Sequence, residues 1–246
     1  MTDSVWHWIL MLIAALSVGI TKSGLTGVSM VHVLIFASIF DARESTGIVL
    51  PMLIFGDAAA MLVYGKHANW VYIRKMLGPT LAGIVMGAVA MQFLSGQAYR
   101  PLLGVIILGL VTLQIIRIRY PRATESIPHA MWFAWFMGML GGATTMLANG
   151  AGPVFAIYFL AVGLPKMELV GTGAWFFLLM NLIKVPFSWG LGLIKPETLM
   201  LNVILCPFIL IGLWLGVATV KRIPQKQFDL VLLAMTAFIA AGFLVL

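Results

Sequence analysis

Charge is scarce in this chain: Asp, Glu, Lys and Arg supply 9% of 246 residues, too little to coat a soluble globule of that length. A water-soluble domain is therefore excluded. Cysteine is almost missing as well, and a lone Cys206 rules out an intrachain disulfide and the CxxC patterns of redox and metal sites. Acidic residues are few, and no two sit on one segment in a way suited to acid–base work. HExxH, GxSxG and Walker A motifs are all absent, so no enzyme and no cofactor is expected, and ATP-driven transport would need a separate subunit. The start of the chain holds Asp3 but no Lys or Arg before the first apolar run, unlike the basic opening of a signal peptide, so the first segment is expected to be retained.

What is present is apolar. Hydrophobic residues make up 62% and mean hydropathy is +1.06, in runs of the length that a hydrocarbon core of about 30 Å demands of helices. The expected fold class is an all-α polytopic membrane protein, with the lipid bilayer as its surroundings. The net charge of +7 does not point to nucleic acid, because the basic residues fall in short connections between apolar runs.

Taken in order, the apolar segments are one (5–21), two (28–40), three (45–64), four (71–94) and five (101–116). A polar turn, Asp41-Ala-Arg-Glu44, separates two from three. A basic linker at 117–128, holding Arg117, Arg119, Arg122, Pro121 and Pro128, follows five. Then come six (129–147), seven (150–163), eight (168–190), nine (197–220) and ten (227–246). The plan repeats itself, so the chain divides into membrane repeats 1–116 and 129–246 joined by the linker. Gly19 aligns with Gly142, Gly27 with Gly150, Gly47 with Gly171, Asp57 with Asn181, Gly83 with Gly212 and Gly87 with Gly216.

Eleven Lys and Arg fall in one set of alternate loops and three, Arg43, Arg100 and Lys195, in the other, with Lys184 inside a segment. The positive-inside rule makes the first set cytoplasmic and puts both termini outside. Five segments per half is an odd number, so the halves enter the membrane oppositely, as inverted-topology repeats. Segments two and seven are short, and the first two segments of each half fit either two crossings or a re-entrant hairpin; charge counting separates neither.

The candidate chemistry lies in two polar breaks, Gly19 to Val31 and Gly142 to Val154. The first holds Thr21, Lys22, Ser23 and Thr26 just before segment two, where helix N–H groups and a lysine together suit an anion. Its alternative is a Lys22 that snorkels to the cytoplasmic interface. The second holds Thr144, Thr145 and Asn149, then Gly150, Gly152 and Pro153 at a helix start; tight packing through small residues is an equal reading. Lys184 lies inside segment eight, one turn after Asn181, and an intramembrane charge should face a cavity or a partner. Asp57 is the one carboxylate far from any loop; it is either half of an ion pair, with Lys22 or Lys184, or a coupling group for a proton or cation. His32 is a candidate proton relay, or simply a hydrogen-bonded bundle histidine. Glu44 and Glu168 open segments three and eight, where they suit the helix dipole.

The duplicated glycine-rich elements, Gly19 to Gly27 and Gly138 to Gly152, with Gly150-Ala-Gly-Pro153 and Val170-Gly-Thr-Gly173, resemble the TauE/SafE sulfite exporter family over nearly the whole chain. The first copy departs from the usual pattern, with Gly27-Val-Ser-Met30 where members tend to carry Gly-Gly-Gly or Gly-Gly-Ala and then proline. The resemblance implies a multi-pass protein of the plasma membrane, the inner membrane of a bacterium. It also implies export of a small sulfur-containing anion such as sulfite, sulfoacetate or a related organosulfonate. An anion channel, a permease for small carboxylates and a scaffold without transport of its own are the alternatives. Substrate contacts are expected from Thr21, Lys22, Ser23, Thr145, Asn149, Gly150, Asn181 and Lys184, with Asp57 and His32 for coupling or charge balance and with no metal. Homo-oligomerisation is left open.

Overall fold

A computed structural model of the chain describes residues 5–40, 42–93, 112, 129–224, 226–228, 230–231 and 234, and among them it is helical without strands. The helices are α1 (Val5–Lys22), α2 (Ser29–Ile39), α3 (Ala42–Tyr64), α4 (Trp70–Phe93), α5 (Met131–Ala148), α6 (Gly152–Ala161), α7 (Lys166–Gly190) and α8 (Pro196–Arg222). They correspond to segments one to four and six to nine. Ala42 to Glu44 belong to the first turn of α3 rather than to a separate polar turn, and Glu44 there faces the positive end of the helix dipole. Segment five, the linker 117–128 and most of segment ten lie outside the described residues.

Six helices, α1, α3, α4, α5, α7 and α8, are long and apolar enough to cross a membrane. The other two are short. With 11 and 10 residues, α2 and α6 rise only about 15–17 Å, near half of a hydrocarbon core of about 30 Å.

Glycine sets the closest approaches. α1 packs along α8, where a Cβ on Gly19 would run into the Ile209 carbonyl oxygen and one on Gly212 into that of Leu16. α5 packs along α4 in the same way, with Gly142 against the Thr80 carbonyl and Gly83 against that of Met139. Any side chain at these four positions would push two backbones apart, which is how small residues hold membrane helices together. In both pairs the contacts advance together along the chain, Leu16 with Gly212 and then Ile20 with Gly216, Met139 with Gly83 and then Ala143 with Gly87, so each pair runs parallel. α3 and α7 run the other way: Gly47 meets Leu193 just past the end of α7, while Gly171 meets Tyr64 at the end of α3.

The core is apolar and aromatic around α6. Phe155 crosses Phe176 edge to face at 4.5 Å, and its ring sits where a side chain on Gly141 would otherwise stand. A second cluster, including Met11, Val18, Phe36, Met52 and Ile209, fills the space among α1, α2, α3 and α8.

Candidate functional site

Both polar breaks end one helix and start another beside the same cavity. α1 stops after Lys22 because the chain tightens there, with Ser23 and Gly24 N–H donating to the Ile20 and Thr21 carbonyls at 3.1 Å. Gly24 then takes φ +104°, a conformation that glycine alone adopts cheaply. A 3-10 turn, Thr26–Val28, leads into α2. At the second break α5 stops at Asn149, which sits in the left-handed region at φ 51° as helix-ending asparagines do, and its N–H donates to the Thr145 carbonyl at 3.1 Å. α6 then starts with Pro153 in its first turn, where a missing N–H costs nothing.

Between these ends lies a cavity of about 60 Å³, lined by Thr21, Lys22, Thr26, Ser29, His32, Asp57, Thr145, Asn149, Gly152 and Asn181 on its polar side and by Phe159 and Phe177 on its apolar side. At roughly 10–15 Å³ for each water-sized group, that holds a small oxyanion or a few waters.

A chain of charged and amide groups runs along it. Lys22 Nζ lies 2.7 Å from Asp57 Oδ1, with the lysine side chain 8% exposed and the carboxylate fully buried. Of the two lysines, Lys22 is the one that pairs with Asp57. The Phe177 ring, 5.5 Å from Lys22 Nζ, adds a favourable π face. The other carboxylate oxygen accepts from Asn181 Nδ2 at 2.7 Å. Lys184, also buried, donates to Asn149 Oδ1 at 2.5 Å, to Thr145 Oγ1 at 3.3 Å and to Asn181 Oδ1 at 3.4 Å. Asn149 in turn donates to the Thr46 carbonyl at 3.0 Å, which ties the second break to α3.

Two lysines therefore face one carboxylate, and Lys184 is bonded to neutral oxygens. Lys184 stands behind Thr145, Asn149 and Asn181, outside the cavity lining. Ser23 is buried against Gly216 of α8 and donates to the Ile20 carbonyl at 2.7 Å, and Gly150 also lies outside the lining. Thr21 lines the cavity but spends its hydroxyl on the Ser17 carbonyl at 2.7 Å. His32 lines it too, with Nδ1 3.2 Å from Ser17 Oγ. Ser29 and Phe177 carry no signal in the sequence that marks them, since an isolated serine and an isolated phenylalanine are ordinary in a bundle; their place comes from the fold.

Among the described residues no group of three or more His, Cys, Asp or Glu is arranged to hold a metal ion. A sequence model of the family described as Sulfite exporter TauE/SafE matches residues 11–243. No curated protein and no solved structure matches the chain.

Proposed function

The chain belongs to the sulfite exporter TauE/SafE family, whose members are membrane transporters and not enzymes, and from that premise we propose that it is a secondary transporter of a small sulfur-containing anion. Sulfite, sulfoacetate or a related organosulfonate is the solute, moved by alternating access of two inverted repeats, 1–116 and 129–246. The observation that carries this reading is the buried set of two lysines and one carboxylate beside a cavity between the two polar breaks. An intramembrane charge is expensive enough that it marks a solute or ion path, and the excess is of the sign an anion needs.

The inverted arrangement is supported by contacts that correspond across the alignment. Gly83 on Met139 matches Gly212 on Leu16, and Gly47 on the chain after α7 matches Gly171 on the chain after α3. Parallel α1 and α8, parallel α4 and α5, and antiparallel α3 and α7 are the directions that ten segments with both termini outside require. The short α2 and α6 support re-entrant or partial elements, which bring helix ends to the middle of the bundle.

In this mechanism Lys22 and Lys184 set the positive field, Thr145, Asn149 and Asn181 hold Lys184 in place, and Asp57 balances Lys22 and is the group through which a proton or cation couples. The test is flux of sulfite and sulfoacetate into liposomes holding the purified protein. Saturable flux that exchanges across the bilayer is expected, with Lys22→Ala and Lys184→Ala each losing most of it. Wild-type flux in both variants would overturn the charge assignment, and flux that follows the gradient without saturating would make the protein a channel.

A further inference from the structure

Resting on that transport reading, we propose that the oxyanion head of the solute docks in the notch between the starts of α2 and α6, on Thr26, Ser29 and the first N–H groups of α6, rather than directly on Lys22. The contacts expected from the sequence are largely engaged elsewhere. Lys22 is 2.7 Å from Asp57, Thr21 donates to Ser17, and both Thr145 and Asn149 accept from Lys184.

Thr26 is different. It is 8% exposed, it lines the cavity, and its hydroxyl has no hydrogen-bond partner. A buried hydroxyl left without a partner is costly, so the site is built for something that supplies one. Directly across from it is Gly152, where an added Cβ would lie 3.4 Å from Thr26 Cβ and 3.9 Å from Ser29 Oγ. Gly152 opens α6, a helix of 10 residues whose first internal main-chain bond runs from Phe155 N–H to the Ala151 carbonyl at 3.1 Å. The N–H groups of Gly152 and Val154 precede that bond and have no acceptor inside the helix, while Pro153 has none to offer. Two hydroxyls thus border the same notch as the start of a helix that has two N–H groups unused within it. A deprotonated oxyanion offers only acceptors, and the helix dipole favours its charge. Lys22 and Lys184 then act at a distance, as the field that draws the anion in.

The glycine matters for the same reason. A methyl at 152 would meet Thr26 at ordinary contact distance, so Gly152→Ala is tolerated by the fold while filling the notch.

The experiment measures saturable flux and ligand-induced thermal stabilisation in Thr26→Val, Ser29→Ala, Gly152→Ala and Thr26→Ser, with sulfite and sulfoacetate as probes. Thr26→Val and Gly152→Ala are expected to raise the KM for both probes roughly ten-fold or more, since each removes or blocks a bond to a charged group, with kcat changed less. Ser29→Ala is expected to raise it less, and Thr26→Ser to restore it. Gly152→Ala is expected to keep the wild-type unfolding temperature without ligand, which separates a blocked notch from a damaged fold. Wild-type KM in Thr26→Val and Gly152→Ala, beside saturable wild-type flux, would overturn the docking alone. Neither flux nor stabilisation in the wild-type protein would overturn the transport reading and the docking with it.

Discussion

The two polar breaks each end one helix and start another beside the same cavity, from different chemistry. In the register that sets Gly19 on Gly142 and Gly27 on Gly150, Lys22 corresponds to Thr145, Thr26 to Asn149 and Ser29 to Gly152. One turn carries a cation; the other carries a hydroxyl in the same place. Their partners differ in step, since Lys22 meets Asp57 of α3 while the aligned residue of α7 is the neutral Asn181. The second half recovers a cation one turn further along α7, at Lys184, where α3 has Ala60. The buried positive excess of the site therefore comes from α7, since Lys22 is matched by Asp57 while Lys184 is bonded to neutral oxygens.

The sharpest way to break the comparison is to remove the carboxylate of the first half. Asp57→Asn leaves Lys22 buried without its counter-ion, and losing one partner of a buried pair costs roughly 3–5 kcal/mol. Asn181→Ala, at the aligned position, removes bonds to Asp57 and Lys184 and costs about 1–3 kcal/mol. Unfolding temperatures of the two variants in detergent would decide it. Lys22→Met placed on Asp57→Asn is expected to recover much of the loss, because the pair is then replaced rather than broken. Equal losses for Asp57→Asn and Asn181→Ala would mean that the carboxylate is not what distinguishes the halves.

Next in size are the glycines, where the halves should behave alike. Gly83→Ala and Gly212→Ala each put a methyl against a facing carbonyl, of Met139 and of Leu16, so a helix must move in both. Overpacking of this kind costs about 1–3 kcal/mol. Matching losses of stability would support the correspondence between the α4–α5 and α1–α8 pairs. A large loss in only one would deny it.

How much of this is legible in the sequence depends on how rare each residue is in its surroundings. Lys22, Asp57 and Lys184 stand out because a charge amid apolar segments has few places to go, and Asn181 follows from helical spacing alone. The choice of Lys22 over Lys184 as the partner of Asp57 cannot be read there, since both distances depend on how α1, α3 and α7 cross. Hydroxyls mislead for a related reason. Ser23 reads as a contact for solute, yet a serine at a helix end can bond its own preceding carbonyl, as it does with Ile20. Thr26, only three residues further along the same break, is the hydroxyl left unpartnered. Nothing in the spacing of the two distinguishes them; the path of the chain through Gly24 does. The short α2 and α6 are legible as short segments, and which cavity they face is not.

The smallest effects lie at the rim, where the halves again offer a matched pair. Glu44 in the first turn of α3 meets Lys195 at 2.7 Å, and Glu168 in the first turn of α7 accepts from Asn69 Nδ2 at 3.2 Å. Lys195 and Asn69 both stand just ahead of the helix that follows, α8 in one case and α4 in the other. The first contact joins two charges, yet both side chains are nearly half exposed, and water screens such a pair. The hydrogen bond to Glu44, and then its charge, hold the Lys195 pKa above the usual lysine value, so the lysine stays charged at neutral pH and its side of the pairing is lost as pH rises past that raised value. Glu44→Ala is therefore expected to leave the unfolding temperature unchanged within error at neutral pH. The second contact joins a charge to a neutral amide but is partly buried, and Asn69 N–H also donates to Thr172 Oγ1 at 2.8 Å, so the stretch of chain entering α4 is held twice. Glu168→Ala is expected to cost about 1 kcal/mol, read as a lowered unfolding temperature. Burial rather than formal charge would then rank the two contacts, and a larger loss from Glu44→Ala would reverse that ranking.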